Sequence, residues 1–286
     1  MIFGITGNIE KENIGSVIEN IGSFLIKSKV EFFIDKKLAS VTKKSFSKHL
    51  TSIKEIFSKE NLILLSLGGD GTFLQTARLV GNKNIPIVGV NLGNLGFLAE
   101  VRTNEINSFI KDILKNKFRV TERVILEAQV KNKKFFALND VVVDKADSIR
   151  MVNLEAYYDK EKVFKLVSDG IIISTPTGST GYSMSSGGPV ISPLSSVFSL
   201  TPICPHSLNI RPIILPDSGT VTIKTLGSSK TKIRVTADGQ TYFTAKSPLE
   251  IKIKKADYTV KLVKRKDMTY FDTLKRKLLW NEDKRR

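Results

Sequence analysis

The run NLILLSL, residues 61–67, leads straight into Gly68-Gly69-Asp70-Gly71-Thr72, and this junction constrains the fold more than any other stretch of the chain. A strand that is apolar at almost every position is buried on both faces, which helix-covered parallel sheets allow. Clustered glycines mark a sharp bend or a close approach to a ligand. A strand, a glycine turn and then a helix place that turn at the carboxyl end of a parallel strand, where α/β sheets bind their ligands. Asp70 between glycines is open to three readings: a helix cap, a metal ligand or a proton acceptor.

The residues around this junction repeat its alternation. IFGIT is a short strand, and Ile14, Val17, Ile18, Ile21 and Leu25 fall on one face of a helix. VEFFI is a second strand, residues 43–58 offer a helix that includes His49, and Thr72 to Val80 reads as another. IPIVGV is a further strand, followed by NLGNLGFLAEV, in which Gly93 and Gly96 make a second glycine turn expected to face the same crevice. Phe97 in that turn is either core or an aromatic surface beside a base. Residues 1–100 therefore predict an α/β domain, doubly wound around a mostly parallel sheet.

Past residue 100 the texture changes. One helix, EINSFIKDILKN, precedes VILEAQV, FFALNDVVVD, NLEAYY, KVFKLV, GIIIST, RPIILP, TVTIKT, KIRVTAD, LEIKIKK and YTVKLVK. Many short alternating strands predict an all-β, β-sandwich-like second domain over residues 101–265. A helical tail over 266–286, with Phe271, Leu274, Leu278 and Leu279 in a stripe, is expected to return to the first domain.

Composition narrows the function. The 286 residues are 41% hydrophobic and 26% charged, a globular balance. No apolar stretch approaches the roughly 20 residues that span a bilayer. The first residues carry no secretory pattern, and Cys204, the single cysteine, excludes an intramolecular disulfide and a cysteine-rich zinc site. A cytoplasmic protein is expected. With only His49 and His206 available, proton chemistry falls to carboxylates. The net charge of +17 comes mostly from lysines spread along the chain, without the aromatic and basic motifs of nucleic-acid binders. Neither nucleic acid nor membrane is expected as a partner, and a basic surface suits a polyanionic small molecule.

Three further stretches carry chemistry. Asn139 and Asp140 interrupt an apolar run, a costly placement without partners. Asp169-Gly170 precedes a buried-looking strand. Thr175 to Pro189 is almost all Thr, Ser, Gly and Pro, and reads either as a flexible polar loop or as a set of small donors lining a nucleotide pocket. The Gly69–Gly71 turn lacks the third glycine of a dinucleotide fingerprint, and no Walker lysine occurs.

Together, Gly68 to Thr72, Asn139-Asp140, and Thr175 to Thr180 with Tyr182-Ser183 and Gly187-Gly188-Pro189 resemble the NAD kinase family over most of the chain. The first block alone is shared with diacylglycerol-type lipid kinases, so a lipid kinase and a non-catalytic dinucleotide sensor are the alternative readings. The resemblance implies transfer of a phosphoryl group from ATP or polyphosphate, with Mg²⁺, to the 2′-hydroxyl of the adenosine ribose of NAD, bound between the two domains. It implies a homo-oligomer, tetramer or dimer. By the same resemblance Asp70 is the proton acceptor, no residue is assigned to a metal, and Gly71, Phe97, Asn139, Asp140, Arg150, Asp169, Thr180, Gly181, Tyr182, Ser183, Met184, Ser185 and Gln240 join Asp70 in holding the dinucleotide. The chain departs from the family pattern at Gly181, Asn94 and Val167, and has Asp140 where glutamate is common.

Overall fold

A computed structural model describes residues 1–93, 96–227 and 231–278. The chain divides into two compact units, Met1–Glu122 with Val260–Arg286, and Arg123–Thr259. The first break falls about twenty residues later than the change in sequence texture, and the second slightly before the expected tail.

The first unit begins β1 (Ile2–Gly7), α1 (Ile14–Lys27), β2 (Phe32–Asp35), β3 (Leu50–Thr51), α2 (Ile53–Phe57), β4 (Leu62–Gly68), α3 (Asp70–Val80), β5 (Ile87–Asn91), β6 (Val101–Arg102) and α4 (Ile106–Leu114). The sheet runs β3-β2-β1-β4-β5 with every pairing parallel, Gly4 opposite Leu64 and Leu65 opposite Val88. All seven residues of β4 are buried, as its apolar run requires. Ile14, Val17, Ile18, Ile21 and Leu25 of α1 are buried on one face. Ile106, Phe109, Ile110 and Ile113 of α4 enter that same core, which is why α4 belongs here and not with the strands that follow it.

The helix expected over 43–58 does not form as one element. Two 3₁₀ turns, Lys36–Val41 and Lys44–His49, lead into β3, and α2 starts only after Ser52. Ser52 and Glu55 form a reciprocal capping box, so the local hydrogen bonding stops the chain and restarts it. His49 is half-buried and stacks its ring on Phe32 with centroids 4.0 Å apart.

The second unit comprises β7 (Phe118–Val130, entering from the first), β8 (Lys133–Ala137), β9 (Asp140–Asp144), β10 (Val152–Tyr158), β11 (Glu161–Ser168), β12 (Gly170–Ser174), a short α5 (Tyr182–Ser185), β13 (Val197–Ile203), β14 (Ile213–Pro216), β15 (Val221–Leu226), β16 (Lys232–Ala237), β17 (Thr241–Lys246) and most of β18 (Leu249–Arg265). One antiparallel sheet contains β11-β10-β15-β18 with β7 and β8, and the other runs β14-β13-β12-β9-β16-β17. Leu154, Ile223 and Ile251 of the first sheet and Val143, Ile173 and Val235 of the second share one core, a β-sandwich. LEIKIKK and YTVKLVK join into the single strand β18, because no glycine or proline separates them and Ala256 stays buried. Two strands are hidden in the sequence: β13 carries buried Ser199 and Thr201, and β17 is exposed at every second residue.

The chain crosses back to the first unit inside β18, where Leu262 pairs in parallel with Ile87. α6 (Tyr270–Leu278) follows. Its expected stripe is narrower: Leu274 is buried, Phe271 is 62% exposed, and Leu279 lies outside the described residues. Polar contacts supply the rest, since Glu100 Oε1 receives Lys264 Nζ at 2.6 Å and Thr273 Oγ1 at 3.1 Å.

Candidate functional site

The turn after β4 is tight because glycine allows it. A Cβ on Gly68 would lie 2.2 Å from Thr72 Oγ1. Gly69 and Gly71 differ, since a Cβ on either would meet no atom within 4 Å. Gly69 has an extended backbone, φ −108°, that any residue adopts. Neither packing nor backbone demands glycine at 69 or 71, so both leave space open at the α3 N-terminus, where N–H groups and the helix dipole favour an anion.

Asp70 is the first residue of α3, and its side chain makes no cap on that helix. The cap reading is therefore set aside. Its carboxylate reaches across to the second glycine turn, where Oδ2 accepts the Phe97 N–H at 2.8 Å and Oδ1 accepts those of Leu98 at 3.0 Å and Ala99 at 2.9 Å. A Cβ on Gly96 would fall 1.9 Å from Asp70 Oδ1, so glycine at 96 is what lets the two turns meet. The expectation that both glycine turns face one place holds within this unit. Phe97 is half-buried, with Lys277 Nζ 5.7 Å from its ring centroid. Asn94 lies outside the described residues.

The second unit presents a cavity of about 450 Å³ lined by Asn139, Asp140, Tyr182, Asp144, Arg234, Asp238 and Tyr242 among others. Asn139 sits between β8 and β9, and its turn is gripped from two sides. Thr175 donates its N–H to Asn139 O at 2.9 Å and its hydroxyl to Leu138 O at 2.6 Å. Gly178 packs so closely that a Cβ there would lie 2.2 Å from Asn139 O. From the other side, Asp238 accepts the N–H groups of Leu138, Asn139 and Asp140 at 2.9, 2.7 and 3.2 Å. Asn139 Oδ1 is buried with no hydrogen-bond partner. Burial, and then the adjacent Asp238 carboxylate, push the Asp140 carboxyl up to about 7. Tyr182 is also raised, by burial first and then by Asp144.

Of the other residues singled out in the sequence, several lie off this cavity wall. Arg150 is exposed in a turn whose contacts are made by its backbone to Ser148. Asp169 forms an ion pair with Lys145 at 2.7 Å. Ser183 is fully buried, 2.9 Å from Thr201 Oγ1, so its hydroxyl supports the loop from beneath. Gly181 does approach the site, since a Cβ there would lie 3.7 Å from Asn139 Nδ2. Thr180 Oγ1 is directed at Thr177 O, Met184 is half-buried, Ser185 is exposed, and Gln240 is half-buried at the end of the 238–239 turn. Sequence reading missed Asp144, Arg234, Asp238 and Tyr242. For Asp238 a signal existed: Asp-Gly between two strand-like runs is a hairpin turn.

Residues 3–118 match the ATP-NAD kinase N-terminal domain and residues 138–265 the ATP-NAD kinase C-terminal domain. The chain belongs to the NAD kinase family. It is 43% identical over 223 residues to the NAD kinase of Sulfurimonas denitrificans, covering 77% of this chain and 78% of that one. It is 36% identical to the NAD kinase of Bacteroides fragilis strain ATCC 25285, with both chains covered in full. As a family member the chain is a kinase, and the C-terminal domain match removes the lipid-kinase alternative that the GGDGT turn alone left open. The fold is shared with yeast NADH kinase complexed with NADH, at a TM-score of 0.88 and 24% identity over 99% of this chain and 88% of that one. It is shared also with an NAD kinase from Archaeoglobus fulgidus in complex with ATP, at a TM-score of 0.78 and 22% identity over 98% of this chain and 99% of that one.

Proposed function

We propose that this NAD kinase family member transfers the terminal phosphoryl group of ATP or polyphosphate to the 2′-hydroxyl of the adenosine ribose of NAD, giving NADP⁺. The observation that carries the reading is the chemical contrast between the two centres. The cavity around Asn139 carries the acceptors Asp140, Asp144 and Asp238, with Arg234 as its one basic side chain among the described residues, and that acceptor set suits the hydroxyl donors of a sugar. The α3 N-terminus, opened by Gly69 and Gly71, suits phosphate instead.

Asp70 is the proton acceptor in this reading. Three N–H bonds occupy its two oxygens, and Oδ2 carries only one of them, so a lone pair remains for a substrate hydroxyl. The same bonds fix the carboxylate before substrate arrives. General-base help is worth about 10²–10⁴ in rate, and alignment with charge stabilisation supplies much of the rest. Mg²⁺ neutralises charge on the donor phosphates when bound. Among the described residues no three His, Cys, Asp or Glu side chains cluster as a cation cage, and Asp70 offers a single carboxylate, a donor set that fits an ion brought in on the nucleotide.

Asn139 and Asp140 hold the ribose region, and Tyr182 lines the adenine and ribose pocket. Phe97, Arg150, Asp169, Thr180 and Gln240 complete dinucleotide recognition by resemblance to the family. Among the described residues no helix is long and apolar enough to cross a membrane, and cytoplasmic residence is part of the proposal. So is a homo-oligomer, supported by the exposed Leu194, Leu208, Ile213 and Ile214 of the second unit.

Phosphorus NMR of a mixture of the protein, NAD⁺, ATP and Mg²⁺ tests the reading. A new phosphomonoester resonance at the 2′-position is expected. ATP loss without that resonance, or phosphate at another hydroxyl, would refute it.

A further inference from the structure

The tip of the β16–β17 hairpin is tied to the Asn139 turn in both directions. Asp238 and Gly239 both have positive φ, +53° and +65°, and Gln240 N–H returns to Ala237 O at 3.0 Å. This is the tight type I′ geometry that Asp-Gly favours. Asp238 N–H donates to Asp140 O at 3.0 Å, while its carboxylate takes three successive N–H groups from Leu138 to Asp140. A single side chain therefore satisfies a backbone row that two strands leave unpaired at their junction. It also puts a carboxylate against Asp140, whose side chain is buried in the cavity wall.

We propose that Asp238 is a positioning residue for dinucleotide binding, which sets the Asn139 and Asp140 side chains toward the cavity and makes that binding depend on pH. The inference rests on the assignment of the cavity to the dinucleotide. Ionised Asp140 accepts ribose hydroxyls and protonated Asp140 accepts them less well, so affinity falls as pH drops through the range where Asp140 takes up its proton. Burial sets that range high, and Asp238 raises it further toward neutrality, because a second negative charge alongside disfavours ionisation of the first. The other charged or titratable groups in the wall are accounted for. Asp144 on β9 pairs with Arg234 on β16 at 3.2 Å, the Tyr182 phenol on α5 is raised from its ordinary value by burial, and Tyr242 on β17 is an exposed phenol. The facing residue of β12, Ser174, carries no charge.

The test compares wild type, Asp238→Asn, Asp238→Ala and Asp140→Asn. For Asp238→Ala, KM for NAD⁺ is expected to rise at least about tenfold while KM for ATP and kcat change far less. For Asp238→Asn, which keeps the shape and removes the charge, the midpoint of the pH dependence of 1/KM moves to lower pH. Asp140→Asn flattens that dependence. A folded Asp238→Asn protein with an unmoved midpoint overturns the proposal, as does a loss confined to kcat. Hydrogen exchange of the 138–140 amides, measured without any nucleotide, separates this proposal from the kinase reading. Loss of protection at those amides in Asp238→Ala is expected even if NAD⁺ proves not to be the substrate, and unchanged protection overturns the positioning role by itself.

Discussion

Asp238 accepts the N–H of Asp140 at 3.2 Å and at the same time sets its carboxylate beside Asp140's own. Burial first, and then that second carboxylate, hold the Asp140 carboxyl near pH 7 in a place where a solvated aspartate would ionise near 4. That arrangement has a cost in stability. Because the folded value is raised, the favourable contribution is complete below about pH 4, fades as pH rises toward 7, and is gone above it. Asp140→Asn removes the charge that must otherwise be buried. Its unfolding free energy is expected to exceed that of wild type at pH 8 by at most about 4 kcal/mol, with the gain shrinking toward acid. Urea unfolding at pH 5 and pH 8 measures this, and an equal difference at both values would contradict it.

Gly71 and Gly96 stand in opposite surroundings, the first in open space and the second against Asp70. Gly71 lies in α3 with open space around its missing side chain, so Gly71→Ala is expected to stabilise the fold by about 0.4–1 kcal/mol. The methyl group would stand in the space assigned to phosphate, so turnover is expected to fall although the protein is firmer. Gly96→Ala is expected to lose both, because its Cβ collides with Asp70 Oδ1 and pushes the 97–99 amides off the carboxylate. Melting temperature and turnover measured together tell the cases apart.

The docking of α6 depends on charge as much as on apolar contact. Lys264 and Glu100 are only 8% and 11% exposed at their side chains, and Thr273 joins them from α6. Removing one partner leaves the other charge buried, so Glu100→Ala is expected to cost about 3–5 kcal/mol. Replacing both, as Glu100→Leu with Lys264→Met, is expected to restore most of that loss. A double replacement as unstable as the single one would show that the cost lies in packing instead.

Much of the first unit was legible because its signals are local. The β4 run and the α1 stripe state their burial residue by residue, and the glycines announce the turn. The 43–58 segment was not, since a capping box at Ser52 overrode an apolar periodicity that looked helical. β13 was hidden because Ser199 and Thr201 are buried polar residues whose partners lie elsewhere in the chain. The same holds for the site. Asn139, Asp140 and Tyr182, singled out in the sequence, line the cavity, whereas Asp238 acts through backbone groups about a hundred positions away, a relation that no spacing reveals. Ser183 was chosen for its loop and belongs to the loop's underside.

The most direct test of the assignment is the initial rate of NADP⁺ formation from NAD⁺, ATP and Mg²⁺, followed with an NADP-specific dehydrogenase, for wild type and Asp70→Asn. Wild-type turnover with a loss of at least about a hundredfold in kcat for the variant is the expected result. Absence of NADP⁺ from the folded wild type would contradict the proposed reaction. An Asp70→Asn protein that turns over at the wild-type rate would contradict the role given to that carboxylate.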